Sequence, residues 1–171
     1  HSINPRLLFF DSFNHHLAMF DDGRRDDLRA RLLARHGAAR LSSLHLTRSE
    51  RRTMARMLSE KVLTSHPDHV VALPSAETLV ITCRRLGGVM TCGHALKHYG
   101  IPLRESPGIL HVAIPAQRSR VPNAIGRTVV HRVRGLLIPK DTEPPVAEVE
   151  QALICYMRCA DELDALISLD A

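Results

Sequence analysis

The sequence predicts an α+β fold: an N-terminal winged helix-turn-helix followed by a small mixed α+β domain that ends in helices. Three observations carry this expectation. Thr47-Arg48-Ser49-Glu50 is a capping box, in which a threonine caps and a glutamate three residues on reaches back. It opens a helix running to about Glu60, with Met54, Met57 and Leu58 on one face. Two Val- and Leu-rich stretches, 61–64 and 69–73, flank Ser65-His66-Pro67-Asp68, which has the chemistry of a turn. Further on, LHVAIP (110–115) alternates as a strand does and TVVHRV (128–133) reads as a second strand, among helices punctuated by glycine and proline.

The elements are expected as follows. Residues 1–25 form an accessory packing segment, in which Pro5 opens a helix to about Phe20 and DDGRR (21–25) breaks it. Residues 26–36 form a helix with Leu28, Leu32 and Leu33 as its apolar stripe, ended by Gly37. Arg40-Leu41 is a short strand, and Ser42 caps a short helix through Leu46. After the capping-box helix and the hairpin, Pro74-Ser75 closes the first module, so the winged helix spans 26–74 and the α+β domain 75–171. In that second domain Ser75 caps a helix over 76–86, stopped by Gly87-Gly88. Val89-Met90 is extended, and Thr91 caps a helix over 92–99 that ends before Gly100 and Pro102. The two strands are expected to pair. A proline-broken loop (139–145) leads to a helix over 146–160, with Val149, Ala152, Leu153 and Tyr156 on one face. A last helix begins at Asp161 and the sequence stops within it, which suggests a truncated domain.

Charge divides the chain. It totals +5, yet residues 135–171 carry two basic and eight acidic side chains, leaving +11 on residues 1–134. A basic front and an acidic rear point to a polyanion meeting only the front. No apolar run is long enough to cross a membrane and no signal peptide is visible. Cys83, Cys92, Cys155 and Cys159 sit in apolar helical patterns, which fits a reduced, cytoplasmic protein.

The capping-box helix is the main candidate for nucleic-acid contact. Arg48, Arg52 and Arg56 recur every four residues opposite the methionines, with Ser49 and Thr53 beside them. One face glued to the module and another presenting guanidinium forks is what a recognition helix needs, since guanidinium bonds guanine or phosphate bidentately. The turn at Asp68 lacks arginine and is a poor phosphate grip. Arg118, Arg120, Arg127, Arg132 and Arg134 form a second basic stretch suited to phosphates, an acidic partner or plain solvent.

Cys92-x-His94-x-x-x-His98 places two histidines one helical turn apart, a spacing able to bind a metal, but no CxxC pair completes it. Cys155 and Cys159 share a helical face and read as core. There is no Gly-rich phosphate loop, no GxSxG and no Asp with a downstream Glu-x-Lys, so no catalytic set is found. No enzyme activity, cofactor or metal is expected.

From Asp26 onward the chain resembles actinobacterial proteins related to the AbiEi antitoxins of type IV toxin–antitoxin systems, some of which are fused to a Vsr-like endonuclease domain. The resemblance rests on RRLGGVMTCGHALKHYGIP (84–102), LHVAIPAQRSR (110–120) and VVHRV (129–133). It implies a winged helix that binds operator DNA and represses its own operon, with Arg48, Arg52 and Arg56 on DNA. It also implies an antitoxin-like second domain that neutralises a nucleotidyltransferase-type toxin without a stable complex. The family's wing usually ends in basic and aromatic residues, whereas this one reads HVVALP. The leading expectation is therefore a sequence-specific, double-stranded-DNA-binding autorepressor of antitoxin type, as a monomer or a homodimer. The alternatives are the DNA-recognition part of a longer Vsr-like endonuclease and a protein-interaction module whose basic helix meets an acidic protein.

Overall fold

The structure, a computed structural model, describes residues 22–121 and 126–170. The fold is mixed α+β, with two small sheets. Helix α1 covers residues 22–33. Strand β1 (Ala38–Arg40), a 3-10 turn (Leu41–Leu44), helix α2 (Arg48–Ser59) and strands β2 (Thr64–His66) and β3 (Val70–Ala72) follow. The first sheet is antiparallel in the order β1-β3-β2, so β3 lies centrally. Leu28, Leu32, Leu44, Met54, Met57, Leu63 and Val71 fill the core between these elements.

Several boundaries differ from expectation. The predicted break at DDGRR is absent over 22–25, which are helical. A lone glycine costs a helix only about 1 kcal/mol, and Arg25 is held by Glu60 at 2.8 Å. The rest of the accessory segment, with its predicted helix, lies outside the described residues. Leu33 is 62% exposed, and the stripe of α1 is Leu28 and Leu32 alone. Ser42 is not the cap: the turn starts at Leu41, one residue before it, and Arg40 occupies the cap position without a side-chain capping bond. The hairpin turns at Pro67-Asp68-His69, with Asp68 and His69 left-handed, a conformation that asparagine, aspartate and histidine tolerate better than most residues.

Helix α3 (Thr78–Leu86) starts two residues later than predicted, with Glu77 and not Ser75 in the cap position. It is followed by β4 (Val89–Met90), α4 (Cys92–His98), β5 (Leu110–Pro115), β6 (Thr128–Val133), α5 (Val149–Met157) and α6 (Glu162–Leu169). The second sheet runs β4-β5-β6, with β4 antiparallel and β6 parallel to β5. Both long strands match their predicted limits, and the twelve residues between them are enough for the crossover that a parallel pair requires. The predicted start of α5 at Val146 is overturned. Met90 donates its N–H to Pro145 and accepts that of Ala147, so this strand edge holds 145–147 extended and helix begins only beyond them.

The paired glycines meet two different needs. Gly87 ends α3 at φ +60, a left-handed position. Gly88 lies so close to β5 that an added Cβ would fall 2.2 Å from the Ala113 carbonyl oxygen. α3 therefore packs against the first sheet through Val80 and Ile81 and against the second core through Cys83 and Leu86.

Candidate functional site

Two arrangements carry chemistry: the outer face of α2, and a cysteine–histidine cluster in the second sheet. α2 is fixed at its start. The Thr47 hydroxyl accepts the Glu50 N–H at 3.3 Å, and the Glu50 carboxylate accepts the Thr47 N–H at 2.6 Å. Arg31 of α1 reaches the same carboxylate at 2.7 Å and also donates to the Leu44 carbonyl. One guanidinium thus ties α1, the 3-10 turn and α2 together. The Thr47 hydroxyl and N–H, and then Arg31, hold the Glu50 carboxyl below the usual carboxylate range.

Thr53, Met54 and Met57 form the buried stripe of α2. Arg48, Ser49, Arg51, Arg52 and Arg56 are exposed. Ser49 lies 3.2 Å from the Thr47 hydroxyl. Thr53 is the exception among the predicted contacts. At 3% exposure it belongs to the core side and cannot reach a ligand. The 100° step per residue puts it 40° from Met57, on the buried side of the helix.

Asp68, at the hairpin turn, points inward to Arg85, which it pairs at 3.1 Å. Its charge is thereby spent inside the fold. The predicted second basic stretch is only partly open. Arg118 donates to the Gly87 and Arg120 carbonyls, and Arg132 to the Ala116 and Arg118 carbonyls. Arg120, Arg127 and Arg134 are exposed.

The second arrangement was not expected. His111 and His131 come from neighbouring parallel strands, where His131 pairs with Ala113. Residues two apart on a strand share a face, so the two histidines project to the same side. Cys92 meets them from the first turn of α4, and Cys159 from just beyond α5. His111 Nδ1 lies 3.0 Å from His131 Nε2, which lies 3.6 Å from Cys92 Sγ and 3.5 Å from Cys159 Sγ. All four ligand atoms fall within 4.8 Å of one another. Cys92 is buried, the histidines half-buried and Cys159 exposed.

The chain matches no protein-family model and no curated protein. What the two arrangements can do therefore follows from their own chemistry.

Burial holds both imidazoles below the ordinary histidine range. His131 adds to this for His111, and Arg158 for His131. Burial raises the Cys92 thiol, with Cys159 adding to it. A cleft of about 430 Å³, lined by Cys92, His111, Cys159 and Asp164, opens onto it.

The spacing Cys92-x-His94-x-x-x-His98 supplies only its cysteine. His98 is exposed and edge-on to Tyr99. His94 is half-buried, with its Nδ1 unpartnered and its proton affinity lowered by burial and Lys97. Of the pair read as core, Cys155 is core, whereas Cys159 is exposed and joins the cluster. Cys83 is the inert one, its thiol pushed up to about 12 by burial. The signal that sequence reasoning missed was a histidine at the same parity in each of two neighbouring strands.

No described helix is long and apolar enough to cross a membrane.

Proposed function

We propose that residues 22–73 form a winged helix-turn-helix that binds double-stranded DNA through α2. The observation that carries the reading is the division of α2. Met54, Met57 and Thr53 are buried while Arg48 and Arg52 stand outward, on a helix braced at its N-terminus by Thr47, Glu50 and Arg31. The element order supports it: helix, strand, short helical turn, helix and hairpin, with the first strand beside the last. In modules of this type the second full helix enters the major groove, where outward guanidiniums meet guanine edges and phosphates. Ala55, exposed on the outward side between Arg52 and Arg56, leaves room for close approach. The excess of positive charge over residues 1–134 supplies long-range attraction.

The resemblance to AbiEi-related antitoxins extends the proposal. In that form the chain is a cytoplasmic autorepressor, and its second domain opposes a nucleotidyltransferase-type toxin without holding it in a stable complex. The test is fluorescence anisotropy with a duplex from the upstream region of its own gene against a scrambled duplex, over a salt series. The wild type is expected to prefer the native duplex. Arg48→Ala and Arg52→Ala are expected to weaken binding. A base contact loses sequence preference, and a phosphate contact weakens all duplexes alike and lowers the salt slope by about 1. A wild type that binds no duplex at low salt overturns the proposal.

A further inference from the structure

We infer that Cys92, His111, His131 and Cys159 bind one Zn²⁺ ion in a closed, structural site. The argument starts from His131 Nε2. It has three neighbours at 3.0, 3.5 and 3.6 Å: the His111 nitrogen and the two sulfurs. An imidazole nitrogen carries either one N–H or one lone pair, so it makes one good hydrogen bond and not three. A cation among the four atoms satisfies them together.

The spacing is that of a tetrahedral ion. Bonds of about 2.3 Å to sulfur and about 2.0–2.1 Å to nitrogen place sulfur and nitrogen ligands about 3.5 Å apart, and two nitrogens about 3.3 Å apart. The observed sulfur–nitrogen distances are 3.6 and 3.5 Å, and the nitrogen–nitrogen distance is 3.0 Å. Two thiolates and two imidazoles in tetrahedral array select zinc over the oxygen-seeking cations. With all four positions filled by protein, no open position remains for a substrate, which marks a structural site.

Binding is charge-balanced. Two thiolates offset the charge of Zn²⁺ and the two imidazoles bind through neutral nitrogen, so the loaded site is neutral. The Thr91 hydroxyl, the residue before Cys92, is buried without a hydrogen-bond partner among the described residues. The ion would join the start of α4, both parallel strands and the link between α5 and α6. These elements are far apart in sequence, so their crosslinking acts on the whole second domain. The cleft beside Cys159 is the entry path.

The experiment uses the whole chain, purified under reducing conditions, stripped with a chelator and titrated with Zn²⁺ and Co²⁺. The expected result is one equivalent of metal per chain. The Co²⁺ form should show intense tetrahedral visible bands with thiolate charge transfer. X-ray absorption on the zinc form should show two sulfur and two nitrogen neighbours. Cys159→Ser removes an exposed ligand at little risk to folding. It should weaken Zn²⁺ binding by more than about 100-fold, since partners outside the ligand set alone are worth 10- to 100-fold. His131→Gln should do the same, while His98→Gln should leave affinity unchanged. Any of four results overturns the inference: no stoichiometric binding, an all-nitrogen-and-oxygen or iron–sulfur signature, affinity insensitive to Cys159→Ser, or a Cys92–Cys159 disulfide in protein purified without oxygen. The X-ray absorption measurement needs no variant, so misfolding of a variant leaves the inference open to refutation.

Discussion

Glu50→Ala is the sharpest probe of how the proposed DNA-binding module is held. The carboxylate accepts the Thr47 N–H at 2.6 Å and pairs with Arg31 at 2.7 Å. Loss of a helix cap costs about 1 kcal/mol. The ion pair adds about 0.5–1 kcal/mol, near the top of the range for such pairs because both partners are largely covered. The expected loss is therefore about 1.5–2 kcal/mol, or about 3–8 °C in melting temperature for a chain of this size. Glu50→Gln keeps an acceptor for the Thr47 N–H and should lose about half as much. The pH dependence is fixed by the depressed carboxyl. A group whose folded pKa lies below its unfolded value stabilises fully above the unfolded value, about 4.3 for glutamate. That stability is lost as pH falls through the lower folded value. Urea unfolding should therefore show a constant gap between wild type and Glu50→Ala from about pH 7 to 5, narrowing below about pH 4. A gap under about 0.3 kcal/mol at neutral pH, or one that widens as pH falls, refutes the bracing role.

Three further outcomes are expected. Thr53→Ala, on the buried side of α2, should cost about 1 kcal/mol in urea unfolding while leaving the salt slope of DNA binding unchanged; a changed slope would return Thr53 to the interface. Gly88→Ala should destabilise by about 2 kcal/mol or more, because its Cβ would meet backbone 2.2 Å away; a melting temperature equal to wild type would show that β4 shifts freely off β5. Asp68→Asn leaves the buried Arg85 guanidinium short of its counter-charge and should cost about 1–3 kcal/mol; no loss would mean that the carboxylate adds nothing to a cation already satisfied by its other contacts.

What the sequence revealed followed physical locality. The capping box at Thr47 and Glu50 and the strands 110–115 and 128–133 are read from neighbours in the chain, and the structure has them within a residue of the expected limits. The misplaced starts of α3 and α5 had another cause. Ser75 could cap a helix, but the chain first turns through the bond from Ala76 N–H to the Leu73 carbonyl. Val146 has helical company on one side, but the edge at Met90 claims its neighbours. Tertiary partners decided both, and no local pattern encodes them. The metal-ligand cluster is the extreme case. Its four residues are spread from position 92 to 159; parallel pairing, whose orientation was not read from the sequence, brings the two histidines to one face, and the packing of α4 and α5 adds the two cysteines.

The C-terminal end of α3 gathers polar side chains from the first sheet and from the second. Arg40, from the strand that leads into the 3-10 turn, donates to the Arg84 and Arg85 carbonyls at 2.7 and 2.6 Å. Arg118, from the loop after β5, donates to the Gly87 carbonyl. A helix C-terminus carries partial negative charge and unpaired carbonyls, so it favours cations. Here it gathers guanidiniums from both halves. Their mutual repulsion is opposed by Asp141, which pairs with buried Arg84 at 3.2 Å, and by Asp68, which pairs with Arg85. Asp68 comes from the hairpin of the first sheet and Asp141 from the loop before α5. One helix end thus joins the hairpin, β1, the basic loop and the acidic rear in a single polar network. A change in the second domain that displaces Arg118 or Asp141 would unbalance the charge around Arg40, one residue from the turn that positions α2.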